Sequence, residues 1–348
     1  MNRLSLNTML LITFVVLLAG TAASVTFFRR QQPLPYRDEM EEAVVLTEKM
    51  FGVIDRLKQE KNIVSDAPSN VPYKFMIGDE WTDITTTLGS LDAKETSTNP
   101  DFAALTVRLL HEAAITGSDK VGVILSGSFP SLAISALAAL QTMDIESVVM
   151  SSLGASTYGA NQPGATWIDM ETTLRREGLN FKSVLVSVGA GGDTGEGLSP
   201  EGLAIIGNAA NRNRVDLYVP ENLQESLIRR EAIFREANIS LLINIGGNET
   251  ALGGCVHALG IPNGLNYEMT HCNDPDRGLI SRLNESGIPF INMLDIKDLA
   301  SRYGMAVSPG TKYSESTNLY NVTTTNRVML AFILAISLVP VFFLRRRQ

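Results

Sequence analysis

Four runs of small residues carry the groups best suited to grip a ligand. They are Ser126-Gly127-Ser128-Phe129-Pro130-Ser131, the stretch from Ser151-Ser152-Leu153-Gly154 to Gly159, the nine residues 189–197 (GAGGDTGEG), and Gly246-Gly247-Asn248-Glu249-Thr250. Glycine lets a backbone N–H turn toward a guest, and a helix that starts just after such a run adds partial positive charge. If the runs share one edge, Ser126, Gly127, Ser128, Ser152, Gly191, Gly192, Thr194, Gly246, Gly247 and Asn248 form a cradle for a phosphate or a carboxylate. The simpler reading of any one run is a turn kept small for tight packing.

Acid–base chemistry needs carboxylates near those runs. Asp169, Glu171, Asp193, Glu196 and Glu249 are placed for it, with Asp169, Asp193 and Glu249 the candidate catalytic acids or bases. The competing reading is helix capping, above all for Glu249 at the positive end of its own helix. A second cluster holds both cysteines and two of the three histidines, as Cys255-Val256-His257 and His271-Cys272. Three readings stay open there. An exported domain would pair Cys255 with Cys272 as a disulfide. The thiols could be unbonded, with Cys255 part of a core. A reduced Cys272 beside His271 would be a nucleophile, or the four groups could meet a metal. The spacing fits no usual zinc module, so no metal site is expected.

Two short motifs suggest other ligands. The glycines at 189, 191, 192, 195 and 197 resemble the phosphate loop of tubulin-type GTPases, although Asp193 and Glu196 would set acids against the phosphates. The serines of the first two runs resemble the phosphate grip of sugar-phosphate isomerase domains. There is no Gly-x-Ser-x-Gly around Ser126 and no suitable P-loop lysine. The sequence does not identify a cofactor.

The elements that must position these runs are an alternation of short apolar stretches and helical patterns. Strands are expected at 121–125, 147–150, 183–188, 215–219, 239–245 and 289–293. Helices are expected at 131–143, 168–178, 200–211, 221–237, 249–259 and 277–286. Such alternation means α/β: a Rossmann-like, mostly parallel sheet with helices on both faces, whose ligands sit at the carboxyl ends of the strands. Upstream, 36–61 and 101–116 read as helices, the second with Asn99 as cap and Pro100 at its first position. Residues 65–72 read as a linker, 75–89 as ambiguous, and 96–100 as a loop.

Both chain ends are apolar. Residues 9–28 and 328–344 carry no charge, and Arg345 to Arg347 follow the second run. Each is long enough to cross a bilayer as a helix. The expected organisation is an N-terminal transmembrane anchor (1–30), a helical and linker region (31–118), the α/β domain (119–307), a polar tether (308–327) and a C-terminal transmembrane anchor with a basic tail (328–348). The three terminal arginines place both termini in the cytoplasm and the main domain outside it. Every acidic residue falls within residues 31–326, where 22 basic residues face 37 acidic ones, a net charge of −15. That balance excludes nucleic acid as a partner.

The layout resembles the poly-γ-glutamate system protein family, membrane accessories of bacterial poly-γ-glutamate capsule biosynthesis. The resemblance rests on the first anchor, Val121-Gly-Val-Ile-Leu-Ser-Gly-Ser128, Gly164-Ala-Thr-Trp-Ile-Asp169, the 189–197 loop, Leu242-Ile-Asn-Ile-Gly-Gly247 and the short second anchor. It implies a place in the cell envelope beside the ligase and export subunits that make and move the polymer, and carries over no catalytic residue. A polyanion would need a basic patch on so acidic a domain. Arg175, Arg176, Arg212, Arg214, Arg229, Arg230 and Arg235 are the candidates, with a solvated, ion-paired helix face as the alternative. Two further readings are an enzyme, either a hydrolase or an amidotransferase of γ-glutamyl bonds, and a sugar-phosphate or nucleotide binder at the cytoplasmic face.

Overall fold

The computed structural model describes residues 8, 11, 13–15, 17–20, 22, 29–254, 260–270, 275–308, 310, 312–313, 317–325, 331–333 and 335–336. The chain divides into two compact units, Tyr36–Leu319 and a unit made of both chain ends, Met1–Pro35 with Tyr320–Gln348. The described strands, in chain order, are β1 (Arg29–Pro33), β2 (Thr85–Thr87), β3 (Lys120–Ser126), β4 (Glu146–Ser152), β5 (Ala155–Ser156), β6 (Ser183–Ser187), β7 (Leu217–Tyr218), β8 (Leu241–Ile245), β9 (Gly264–Asn266), β10 (Phe290–Met293) and β11 (Asn321–Thr325).

The larger unit is built on a seven-stranded sheet of order β7-β6-β4-β3-β8-β10-β9. It is parallel except for the β10–β9 pair. All of β8 and β10, and all of β3 except Lys120, are buried, so both faces of the sheet are covered. On one face Ile124, Met150, Leu185, Leu242 and Phe290 pack with Leu227 and Phe234 of helix Leu223–Ala237 and Leu279 and Leu283 of helix Leu279–Asn284. Alternation sends Val121, Val123, Leu125, Val149 and Ile243 to the other face, where they are equally buried. Gly122 lets helix Leu223–Ala237 come close, because a Cβ there would stand 2.8 Å from Phe234 Cε1.

Chain order along the sheet reverses between β3 and β8. This switch point leaves a crevice outside the carboxyl ends of the strands. Helices Pro130–Thr142, Trp167–Arg176, Pro200–Asn213 and Leu223–Ala237 fall within two residues of expectation. The expected helix at 249–259 runs over Glu249–Leu252, with residues 255–259 outside the described ones.

Upstream the structure corrects the sequence reading. Helix Arg37–Glu60 is as expected, but a helix at Leu91–Ser97 occupies part of the presumed loop. Helix Asp101–Glu112 begins just after Pro100, which makes no side-chain cap bond, and Asn99 Oδ1 accepts from the Asp101 amide at 3.0 Å. The ambiguous 75–89 stretch contributes β2, which pairs in parallel with β5.

In the other unit, β1 and β11 pair as an antiparallel ribbon from Arg29↔Thr325 to Pro33↔Asn321. Part of the expected tether is therefore strand. Short helical pieces are described at 13–15, 17–20, 331–333 and 335–336. A Cβ on Gly20 would lie 2.6 Å from Ile333 Cγ2, so the two ends touch there. Among the described residues no helix is long and apolar enough to cross a membrane. Most of both apolar segments lies outside the described residues.

Candidate functional site

A cleft of about 1030 Å3 opens over the carboxyl ends of β3, β4, β6 and β8. The loop after β3 forms its floor. Ser126 Oγ accepts from the Ser128 amide at 3.3 Å, and the Gly127 amide donates to Ser152 O at 3.0 Å. Gly159 lies against this loop so closely that a Cβ there would stand 2.7 Å from Gly127 O and 3.0 Å from Ser128 Cα. The loop after β4 is stitched to β6 by Leu153 N to Ser187 O and Gly154 N to Val188 O, both 3.0 Å. It then continues into β5, where the Ser156 amide donates to Ser128 Oγ at 3.1 Å.

The missed helix Leu91–Ser97 brings a buried lysine to the cleft. Ser90 caps it by accepting from the Ala93 amide, and Ser97 Oγ meets Ser131 Oγ at 2.8 Å. Lys94 is only 2 % exposed, yet it lines the cleft. Its Nζ donates to Ser128 O and to Ser156 Oγ, the latter at 2.7 Å, and stands 3.7 Å from the centre of the Phe129 ring. Among the described residues no carboxylate lies within ion-pair distance of it. Burial lowers the Lys94 ammonium from 10.5 to about 7, since an unpaired charge is costly away from water.

The loop after β6 is conformationally expensive. Gly189, Ala190, Gly192, Asp193, Gly195 and Gly197 all have positive φ, and Ala190 (65°) and Asp193 (63°) lack glycine's freedom. Asp193 holds this loop in place. Its Oδ1 accepts from Ser187 Oγ at 2.6 Å, and its Oδ2 from Ser226 Oγ at 2.6 Å and Arg230 Nη2 at 2.8 Å. The loop after β8 turns at Gly246 (φ 88°). Asn248 then caps the short helix, with Oδ1 accepting from the Ala251 amide. Asn248 Nδ2 has no hydrogen-bond partner among the described residues. Glu249 Oε2 reaches across to accept from the Gly192 amide at 2.7 Å, joining the two loops.

The structure thus brings together Ser126, Ser128, Ser152, Gly191, Gly192, Gly247 and Asn248 as cleft-lining residues, with Asp193 and Glu249. Gly127, Thr194 and Gly246 shape the loops without lining the cleft. Thr194 Oγ1 donates to Gly191 O at 2.9 Å. Asp169 is elsewhere. It forms a capping box with Thr166 and takes Arg212 Nε at 2.7 Å and Asn213 Nδ2 at 2.8 Å. Burial pushes its carboxyl up, but hydrogen bonds from Arg212, Asn213 and Thr166 outweigh that and hold it below the usual range. Glu171, raised by burial, accepts from the Ser183 amide and hydroxyl.

Neither Asp169 nor Asp193 has an oxygen left without a donor, so neither is placed as a free base. Cys255 and Cys272 lie outside the described residues, and among those described no group of acids, histidines and cysteines is arranged for a metal. Of the arginines considered for a basic patch, Arg212 pairs with Asp169, Arg230 with Asp193 and Arg235 with Glu231.

The signal that could have pointed to Lys94 is faint. Ser90 is a good cap residue, but the helix behind it (LDAKETS) has no apolar stripe. Compared with known proteins, the chain matches no family model, no curated protein and no solved structure.

Proposed function

We propose that the chain is a membrane-tethered, Rossmann-like α/β protein that binds a small anionic group, a carboxylate first of all, in the cleft around Lys94. The observation that carries this is a buried lysine with no counter-ion among the described residues, its amine donating to Ser156 Oγ in a cleft also lined by Ser126, Ser128 and Ser152. A bound carboxylate supplies the missing charge, and hydrogen bonds involving an ion contribute about 1.5–3 kcal/mol each. Helix Pro130–Thr142, which has no side-chain cap, begins beside the same floor and adds its positive end.

The proposed setting is an accessory role in poly-γ-glutamate synthesis or export, next to ligase and export subunits in the bacterial envelope. It draws support from the motifs of the resemblance and from a ligand that carries carboxylates. A net charge of −15 over residues 31–326 disfavours a polyanion overall. The proposal is therefore recognition of one end or one unit at a recessed cation, not of the polymer along a basic face. Two membrane spans, cytoplasmic termini and an extracytoplasmic domain complete the reading. The apolar ends support it, with Leu11 at 62 % and Phe332 at 63 % exposed.

Calorimetric titration of the detergent-solubilised chain with glutarate tests the binding. Expected is saturable binding at one site, weakened about tenfold or more by Lys94→Met. Equal affinity in that variant would overturn it. Alkaline carbonate extraction tests the tether, and release of the full chain from membranes would end that part of the proposal.

A further inference from the structure

We infer that Lys94 and Ser156 form an acyl-transfer dyad, with Ser156 as nucleophile and Lys94 as its general base, acting on an amide or ester whose acyl part leaves as the carboxylate. The inference rests on the carboxylate-binding reading, because the anion held there is the product of the reaction. It adds an activity that binding alone does not require.

The geometry carries it. Lys94 Nζ and Ser156 Oγ are 2.7 Å apart, both side chains are buried, and both line the cleft. That is the separation a base needs to take a hydroxyl proton. The Ser128 carbonyl and the Phe129 ring hold the amine in place, and no carboxylate among the described residues locks it as an ammonium. Space for the pair comes from Gly89, where a Cβ would stand 3.1 Å from Ser156 Oγ and 3.2 Å from Lys94 Cε. Beside them, the Ser128 hydroxyl accepts from the Ser156 amide and donates to no described residue, so its hydrogen can serve the acyl oxygen. Burial that brings the lysine to about 7 keeps a large neutral fraction near neutral pH.

In the acylation step, neutral Nζ takes the Ser156 proton while Oγ bonds to the acyl carbon and the carbonyl electron pair moves onto oxygen. The tetrahedral centre collapses, the bond to the leaving amine or alcohol breaks, and Nζ returns the proton to that leaving group. The product is an ester on Ser156. Water then adds to the ester carbon with Nζ taking its proton. Oγ leaves and recovers that proton from Nζ. The carboxylic acid released ionises, its proton goes to Nζ, and the ammonium–carboxylate pair of the binding reading results.

The test treats the full chain in detergent with a fluorophosphonate probe between pH 6 and 9, followed by peptide mapping, with glutarate titration in parallel. Expected is one adduct, on Ser156, forming about tenfold faster at pH 8 than at pH 6 and then levelling. Ser156→Ala should abolish the adduct. Lys94→Arg keeps a cation but has no neutral form in this range. It should lose about a hundredfold or more in labelling rate. An unlabelled wild type that still binds glutarate would overturn the dyad alone, as would an adduct on another serine. Labelling of Ser156 without glutarate binding would overturn the carboxylate reading and support the dyad.

Discussion

Arg230 Nη2 lies 2.8 Å from Asp193 Oδ2, with the two side chains 1 % and 3 % exposed. Ser187 and Ser226 complete the arrangement, so both Asp193 oxygens and Arg230 Nε and Nη2 are hydrogen-bonded at the base of the 189–197 loop. The pair is a clasp. It sets a loop with six positive φ values against one strand end and one helix, which is why Asp193 lines the cleft without being available to a ligand.

Removing one half of this clasp leaves a buried charge. Arg230→Met should cost about 3–5 kcal/mol. Arg230→Met with Asp193→Leu should recover most of that loss, because no charge is then stranded. Urea denaturation followed by the fluorescence of the fully buried Trp167 measures both. Equal losses in the single and double variants would show that the loop needs the pair itself.

Glu249 spans the cleft mouth to the Gly192 amide from an exposed position. Glu249→Gln keeps an acceptor oxygen for that amide and removes a negative charge near the cleft. Glutarate affinity should rise about threefold at low salt, and the gain should vanish at about 0.5 M salt, where screening is nearly complete at these distances. Titration at the two ionic strengths decides it, and a fall in affinity would mean that the loop needs the carboxylate.

Stability should rise with pH above neutrality. Burial lowers Lys94 to about 7 and Lys58 to about 8, against 10.5 for a free lysine. Between the folded and free values the unfolded chain holds protons that the folded chain has given up. Raising pH therefore favours the folded state, by up to about 1.4 kcal/mol per pH unit for each lysine. The penalty is complete below pH 7 and is relieved towards 10.5. In Lys94→Met the slope between pH 7 and 8 should be shallower, because only Lys58 then contributes. Denaturation midpoints at pH 6.5, 7.5 and 8.5 test this, and an unchanged slope would refute it.

The central strands were legible because their apolar runs mark a sheet buried on both faces. The runs at 121–125 and 147–150 fall inside β3 and β4, and the loops after them hold Ser126, Ser128 and Ser152. What escaped was short or polar. β9 has three residues and no usable period. Helix Leu91–Ser97 places a lysine where lysine is seldom found, so its burial could not be read from residue type. Asp193 and Asp169 are acids near promising loops, and nothing in their local sequence reveals that Arg230 and Arg212 return to satisfy them. β11 was hidden in a threonine-rich run that its distant partner β1 makes into a strand.

The β1–β11 ribbon seats Pro33 opposite Asn321, and Leu34 N donates to Tyr320 O at 3.0 Å. The polypeptide thus enters and leaves the folded body through one doorway. A body closed in this way behaves as a portable insert: it can be spliced into a surface turn of an unrelated host, because joining its two ends stretches neither partner.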